Sequence, residues 1–140
     1  MRVLRSDAVV PRVAHPGDAG ADLVAVEGRH LARAGGRALV PTGIALAIPE
    51  GYGGLVLPRS GLAARHGVTC ANAPGLIDAG YRGEVQVALV NLDPEQDYEV
   101  HAGDRIAQLV VVACATLDLV ACDELPASTR GAGGFGSTGR

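Results

Sequence analysis

The chain has 140 residues, 48% of them hydrophobic, which supports one domain with one buried core and is too little for two independent domains. A net charge of −3 gives no global basic field for nucleic-acid binding through counterion release. All 12 cationic side chains are arginine, so no lysine amine is available for catalysis, while the planar guanidinium suits phosphate oxygens. Three cysteines, Cys70, Cys114 and Cys122, lack a CxxC spacing; this argues against structural zinc and predicts reduced, partly buried packing residues, as in a cytoplasm. The first ten residues lack the apolar core of a signal peptide, and no stretch approaches the ~20 apolar residues that cross a bilayer. A soluble cytoplasmic protein without membrane or nucleic-acid partners is expected.

Along the chain, 20 Gly and 8 Pro punctuate short runs of Val, Leu, Ile and Ala, a pattern that predicts an all-β fold. Strands are expected at Arg2–Arg5, Ala21–Val26, Ala38–Pro41, Ile44–Ile48, Gly54–Leu57, Val68–Cys70, Glu84–Asn91, Tyr98–Val100 and Ile106–Val112. The runs from Val85 to Val90 and from Ile106 to Val112 are nearly continuously apolar, as in strands covered on both faces by a second sheet or another subunit. One short helix is expected over residues 60–67, capped by Ser60 and stopped by Gly67. Residues 1–126 form the expected core, and residues 127–140, rich in Gly and poor in apolar bulk, form a flexible arm that cannot fold alone.

Five segments carry chemical groups. In the first, Asp18 and Asp22 flank a Gly-containing bend, and acidic groups of this kind near phosphates imply a hard cation such as magnesium, held through as few as one carboxylate. In the second, Arg59, Ser60 and Gly61 combine a cationic fork, a hydroxyl and an unhindered backbone at a helix start; such a start attracts phosphate, and a plain capped turn is the simpler alternative. The third runs from Asn72 to Glu84 and includes Asp78, either a semi-buried carboxylate able to take a proton from water or a turn acceptor, with Asn72 as a base-edge reader or a turn residue. The fourth places Gln108 among apolar residues, where it needs a ligand or a cross-strand partner. In the fifth, Arg130 and Phe135 punctuate a glycine-rich tail whose successive N–H groups, including those of Gly136 and Ser137, suit phosphates if the tail orders on binding.

Taken in this order, the stretches DAGADL, PRSGLAARHG, GLIDAGYRGE, GDRIAQL and RGAGGFGSTG resemble the five motifs of the trimeric dUTPase family. The resemblance implies a small distorted β-barrel, jelly-roll-like, of the β-clip kind. It also implies a homotrimer whose sites are shared between subunits, and Mg-dependent hydrolysis of dUTP to dUMP and pyrophosphate. By the same resemblance, uracil enters a β-hairpin pocket lined by Asn72, Gly75, Leu76 and Ile77, with a lesser contact from Gln86, and Tyr81 packs under the deoxyribose. Asp78 is then the general base for attack of water on the α-phosphorus. Arg59, Ser60, Gly61 and Gln108 bind the phosphate chain, Asp22 touches Mg2+ through water, Arg130 grips the γ-phosphate, and Phe135 stacks on uracil as Gly136 and Ser137 close over the site.

Two other functions compete. A dCTP deaminase-like relative of the same fold is opposed by the complete glycine-rich arm and the GLIDAGYRGE loop. A non-catalytic, nucleotide-sensing trimer has no use for Asp78 together with Arg59, Gln108 and Arg130.

Overall fold

A computed structural model describes residues 1–115 and 117–134. Its elements are β1 (Arg2–Val3), β2 (Ala21–Val24), β3 (Arg29–Leu31), β4 (Arg37–Ala45), β5 (Tyr52–Pro58), α1 (Ser60–His66), β6 (Val68–Cys70), β7 (Gly75–Ile77), β8 (Glu84–Asn91), β9 (Tyr98–Val100) and β10 (Arg105–Ala113). The strands form two four-stranded sheets, ordered β1-β4-β8-β6 and β2-β10-β5-β7, and a two-stranded ribbon, β3-β9. Every pairing is antiparallel, and the fold is all-β and jelly-roll-like.

The core lies between the sheets and includes Leu23, Leu31, Val40, Ile44, Val87, Leu89 and Ile106. Alternation along each strand sends these side chains inward, and burying each contributes roughly 1.5–3 kcal/mol. In β8, Val85, Val87 and Leu89 are buried while Gln86 is exposed; towards its end Val90 and Asn91 are buried too, so only that half is covered on both faces. In β10 the face formed by Gln108, Val110 and Val112 is only half-buried. The neighbouring strand sets Leu57 opposite Gln108 and Leu55 opposite Val110, and these leucines are half-buried as well, so within one chain this apolar face is only partly covered.

Several local expectations are corrected. The two strands expected at Ala38–Pro41 and Ile44–Ile48 are one, β4, because Thr42 and Gly43 are absorbed in a bulge rather than ending the strand. β3 and β7, each of three residues, were not expected; their pairing with β9 and β5 holds them, since so short a run has no periodicity of its own. Ser60 is the first residue of α1 and does not cap it: Arg59 is the N-cap and makes no side-chain capping bond. Gly67 does stop the helix, with φ of 63° and its N–H donated to the Ala63 carbonyl. Cys70 is buried, and burial pushes its thiol pKa up, but Cys114 and Cys122 are exposed and not packing residues, since the chain has left the sheets where they occur.

Asn91 is fully buried at the end of β8. Its amide donates to the carbonyls of Leu31 (3.1 Å) and Gln96 (2.8 Å), and its oxygen accepts the Asp93 N–H at 3.0 Å. One side chain thereby fastens β3, β8 and the following turn. Asn91→Ala strands these groups and is expected to lower unfolding free energy by about 2 kcal/mol, read from the midpoint of urea denaturation.

Candidate functional site: two clefts on one chain

The first cleft, of about 290 Å³, is lined by Leu39, Leu76, Ile77, Asp78, Tyr81, Glu84, Val85 and Gln86. It opens where β7 and β8 separate. β7 is the edge of its sheet and pairs only with β5, whereas β8 pairs with β4 along one side and with β6 only from Leu89 onward. The expected pocket is therefore not a paired hairpin: its two strands belong to different sheets, and both leave backbone N–H and C=O groups unpaired beside the cleft. Open strand edges of this kind offer donors and acceptors to a flat heterocycle as they would to another strand.

Ile77 is buried, so alternation turns the next residue, Asp78, outward at the cleft. Asp78 is exposed rather than semi-buried, and among the described residues its carboxylate has no hydrogen-bond or ion-pair partner. The backbone turns sharply there, with the Tyr81 N–H donated to the Asp78 carbonyl at 3.0 Å. Tyr81 folds back and donates its hydroxyl to the Glu84 carbonyl at 3.0 Å. Its ring crosses Gly83, where a Cβ would stand 2.6 Å from Tyr81 Cζ, so a side chain there would push the ring aside. Asn72 lies outside the cleft wall, its amide against Gly75, and Gly75 is buried beneath it.

The second cleft, of about 460 Å³, is built on the other sheet from Ala14, Asp18, Ala19, Gly20, Asp22, Leu57, Arg59, Arg105, Gln108 and Val110. Strand register accounts for it: Gln108 on β10 faces Asp22 on β2 on one side and Leu57 on β5 on the other. Gly20 lies against the Gln108 side chain, where a Cβ would stand 2.7 Å from Oε1. The Asp22 carboxylate is shared between two arginines, at 3.4 Å from Arg59 Nε and 3.3 Å from Arg105 Nη1. Arg59 also donates to the Arg105 carbonyl at 2.8 Å, which ties the end of β5 to the start of β10. Asp18 is a turn acceptor for the His15 N–H at 2.8 Å.

The charges of this cleft cancel: Arg59 and Arg105 supply +2, Asp18 and Asp22 supply −2, and the sum is zero. A bare polyphosphate gains little net attraction there, whereas one carrying its own divalent cation is well matched. Among the described residues no group of three or more His, Cys, Asp or Glu is placed to hold a metal. Asp22 is a single carboxylate already engaged by arginines, so Mg2+ fits only with phosphate and water as most of its ligands.

Residues expected in one site thus fall into separate places. Leu76, Ile77, Asp78, Tyr81 and Gln86 meet in the first cleft, and Asp22, Arg59 and Gln108 in the second. Ser60 and Gly61 line neither, and α1 presents their N–H groups beside Arg59. Arg130 lines neither cleft and donates to the Gly133 carbonyl at 2.7 Å. Phe135, Gly136 and Ser137 lie outside the described residues. Sequence reasoning missed Arg105, Leu39 and Glu84 as lining groups; Arg105 stands within GDRIAQL, but nothing local marked Leu39, which arrives on β4 beside β8.

A model of the dUTPase family matches residues 6–139. The chain belongs to the dUTPase family. It is 58% identical, over 99% of its length and 77% of the other's, to the deoxyuridine 5'-triphosphate nucleotidohydrolase of Thermobifida fusca. It is similar in structure to the dUTPase of Staphylococcus bacteriophage 80alpha with dUPNHPP, at TM-score 0.89 and 31% identity, covering 99% of this chain and 96% of that one. It also resembles a mutant dUTPase from phage phi11 of S. aureus, whose structure details coordination of a structural Mg(II) ion, at TM-score 0.79 and 28% identity, covering 90% and 97%. A dUTPase fold therefore underlies both clefts, and the second has the arginines for the anionic end of a ligand. Arg59→Ala is expected to weaken binding of magnesium tripolyphosphate about tenfold or more, measured by titration calorimetry at low salt.

Proposed function

We propose that this protein is a dUTP diphosphatase, acting by addition of water to the α-phosphorus of dUTP with Asp78 as general base. The observation that carries this reading is the first cleft: an unpartnered carboxylate stands beside Tyr81, between open strand edges suited to a nucleobase. The water oxygen bonds to the α-phosphorus, the bond to the bridging oxygen of the leaving pyrophosphate breaks, and the water proton passes to Asp78. An aspartate serves here by aligning the water as much as by accepting its proton. Lowering dUTP and supplying dUMP for dTMP synthesis is the metabolic consequence.

Uracil is read by the open edges of β7 and β8, with Asn72, Gly75, Leu76, Ile77 and Gln86 around it. Tyr81 underlies the deoxyribose and leaves no room for a 2′-hydroxyl. Arg59, Ser60, Gly61 and Gln108 bind the phosphates, and Arg130 takes the γ-phosphate while Phe135 stacks on the base and Gly136 and Ser137 close over it. Asp22 is the residue that would hold Mg2+, through water, and the ion's chemistry is to neutralise charge gathering on the leaving pyrophosphate.

The base cleft and the phosphate cleft are distinct surfaces of one chain, each lacking half of a nucleotide site. Homotrimer assembly, with the base cleft of one subunit meeting the phosphate cleft of the next, completes the site. The half-buried apolar face of Leu55, Leu57, Val110 and Val112 supports such an assembly. A cytoplasmic location is proposed from the three free cysteines, and no helix among the described residues is long and apolar enough to cross a membrane.

Asp78→Asn keeps the shape of the side chain but cannot take a proton. It is expected to reduce turnover of dUTP by several orders of magnitude while calorimetry still detects nucleotide binding; loss of both together makes Asp78 structural. Deleting residues 130–140 is expected to leave the assembly folded, by light scattering and circular dichroism, with turnover greatly reduced. An unfolded truncation contradicts the arm assignment.

A further inference from the structure

We propose, on the reading of Tyr81 as the platform under the deoxyribose, that Glu84 is a positioning residue for sugar discrimination: it fastens Tyr81 and Gln86 to the bulge of β4. The bulge leaves groups that the ladder cannot serve. Gln86 faces Pro41 and Glu84 faces Ala45, so Thr42, Gly43 and Ile44 on β4 are set against Val85 alone. Side chains take over from the missing ladder bonds. The Thr42 hydroxyl donates to the Val85 carbonyl at 2.5 Å, and the Gly43 N–H donates to Glu84 Oε1 at 2.7 Å.

The bulge is closely packed and tied to β1. Gly43 has φ of +68°, a Cβ there would stand 2.7 Å from Ala8 Cβ, and its carbonyl accepts the Leu4 N–H at 2.8 Å. Glu84 carries this fixed point into the cleft in two directions. Its Oε2 accepts from Gln86 Nε2 at 3.4 Å, and its backbone carbonyl accepts the Tyr81 hydroxyl at 3.0 Å. The carboxylate is half-buried, so its bond to Gly43 is charge-assisted and only partly diluted by water. Glu84 lines the same cleft as Asp78, but its Oε1 is engaged by the Gly43 N–H, and the geometry gives it an anchoring role.

Without the Gly43 anchor the first residue of β8 is held only by its pairing with Ala45 and by the Thr42 bond to Val85, so the Glu84 carbonyl relaxes and the tyrosine ring follows its acceptor. A ring set back from the sugar makes room for a 2′-hydroxyl. The consequence is specific: UTP gains on dUTP, whereas a general loss of stability lowers both substrates alike.

The test is kcat/KM for dUTP and UTP with Mg2+, on the full chain, for wild type, Tyr81→Ala, Glu84→Ala, Glu84→Gln and Glu84→Asp, with melting temperature recorded for each. Glu84→Ala is expected to raise the UTP/dUTP ratio of kcat/KM about tenfold. Glu84→Gln, which keeps an oxygen for the Gly43 N–H, should restore most of the discrimination. If Glu84→Ala does not fold, Glu84→Asp, whose shorter side chain cannot hold Gly43 with β8 in place, is expected to raise the ratio in its stead. An unmoved ratio in the folded Glu84 variants, with Tyr81→Ala raising it, overturns the positioning role and leaves the sugar platform standing. A ratio unmoved by Tyr81→Ala overturns both.

Discussion

β7 and β8 leave their connecting turn for different sheets, and the first cleft, the proposed base site, exists because of that divergence. β7 is drawn to β5, where Gly54 faces Ile77; a Cβ at Gly54 would stand 3.3 Å from Ile77 Cβ, so glycine eases the close packing of β7 at the edge. β8 is drawn to β4 and β6 and carries Val85, Val87 and Leu89 into the core. Between these anchors the segment from Asp78 to Gly83 must bridge two layers. The bridge exposes Asp78, folds Tyr81 over Gly83 and leaves strand edges unpaired, three features that a continuous hairpin would have lost.

The phosphate cleft has a different origin, in strand register. β10 runs between β2 and β5, and a single position, Gln108, acquires Asp22 on one side and Leu57 on the other. The arginines at the ends of β5 and β10 then converge on the Asp22 carboxylate. Shared between two guanidiniums, that carboxylate keeps both forks in place, and the balanced charge favours a polyphosphate that brings its own cation.

Much of the fold was legible in the residues. β6, β8 and β9 were anticipated with their observed limits because each is a run of strand formers bounded by turn residues. β3 and β7 were not, since three residues such as Arg29–Leu31 or Gly75–Ile77 become strands only through a partner far along the chain. The join within β4 was hidden because Thr42–Gly43 looks like a break, and the partners that satisfy the bulge, Val85 for Thr42 and Glu84 for Gly43, lie 43 and 41 positions away. The same limit applied to the site. Motif residues were recognisable by resemblance to a family, but the pairing of Arg105 with Asp22 spans 83 positions and follows from register alone. The family resemblance implied sites shared between subunits, but the order of motifs along the chain does not say which motif falls in which cleft.

The central claim is that hydrolysis needs two copies of the chain, one presenting Asp78 and the other Arg59. Co-assembly of Asp78→Asn protomers with Arg59→Ala protomers, each inactive alone, tests it directly. In a cyclic trimer with shared sites every mixed assembly regains one intact site, so an equal mixture should recover about a quarter of the wild-type rate. Mixed trimers, verified by mass spectrometry, that remain as inactive as their parents would place both clefts in one subunit's own site and contradict the account.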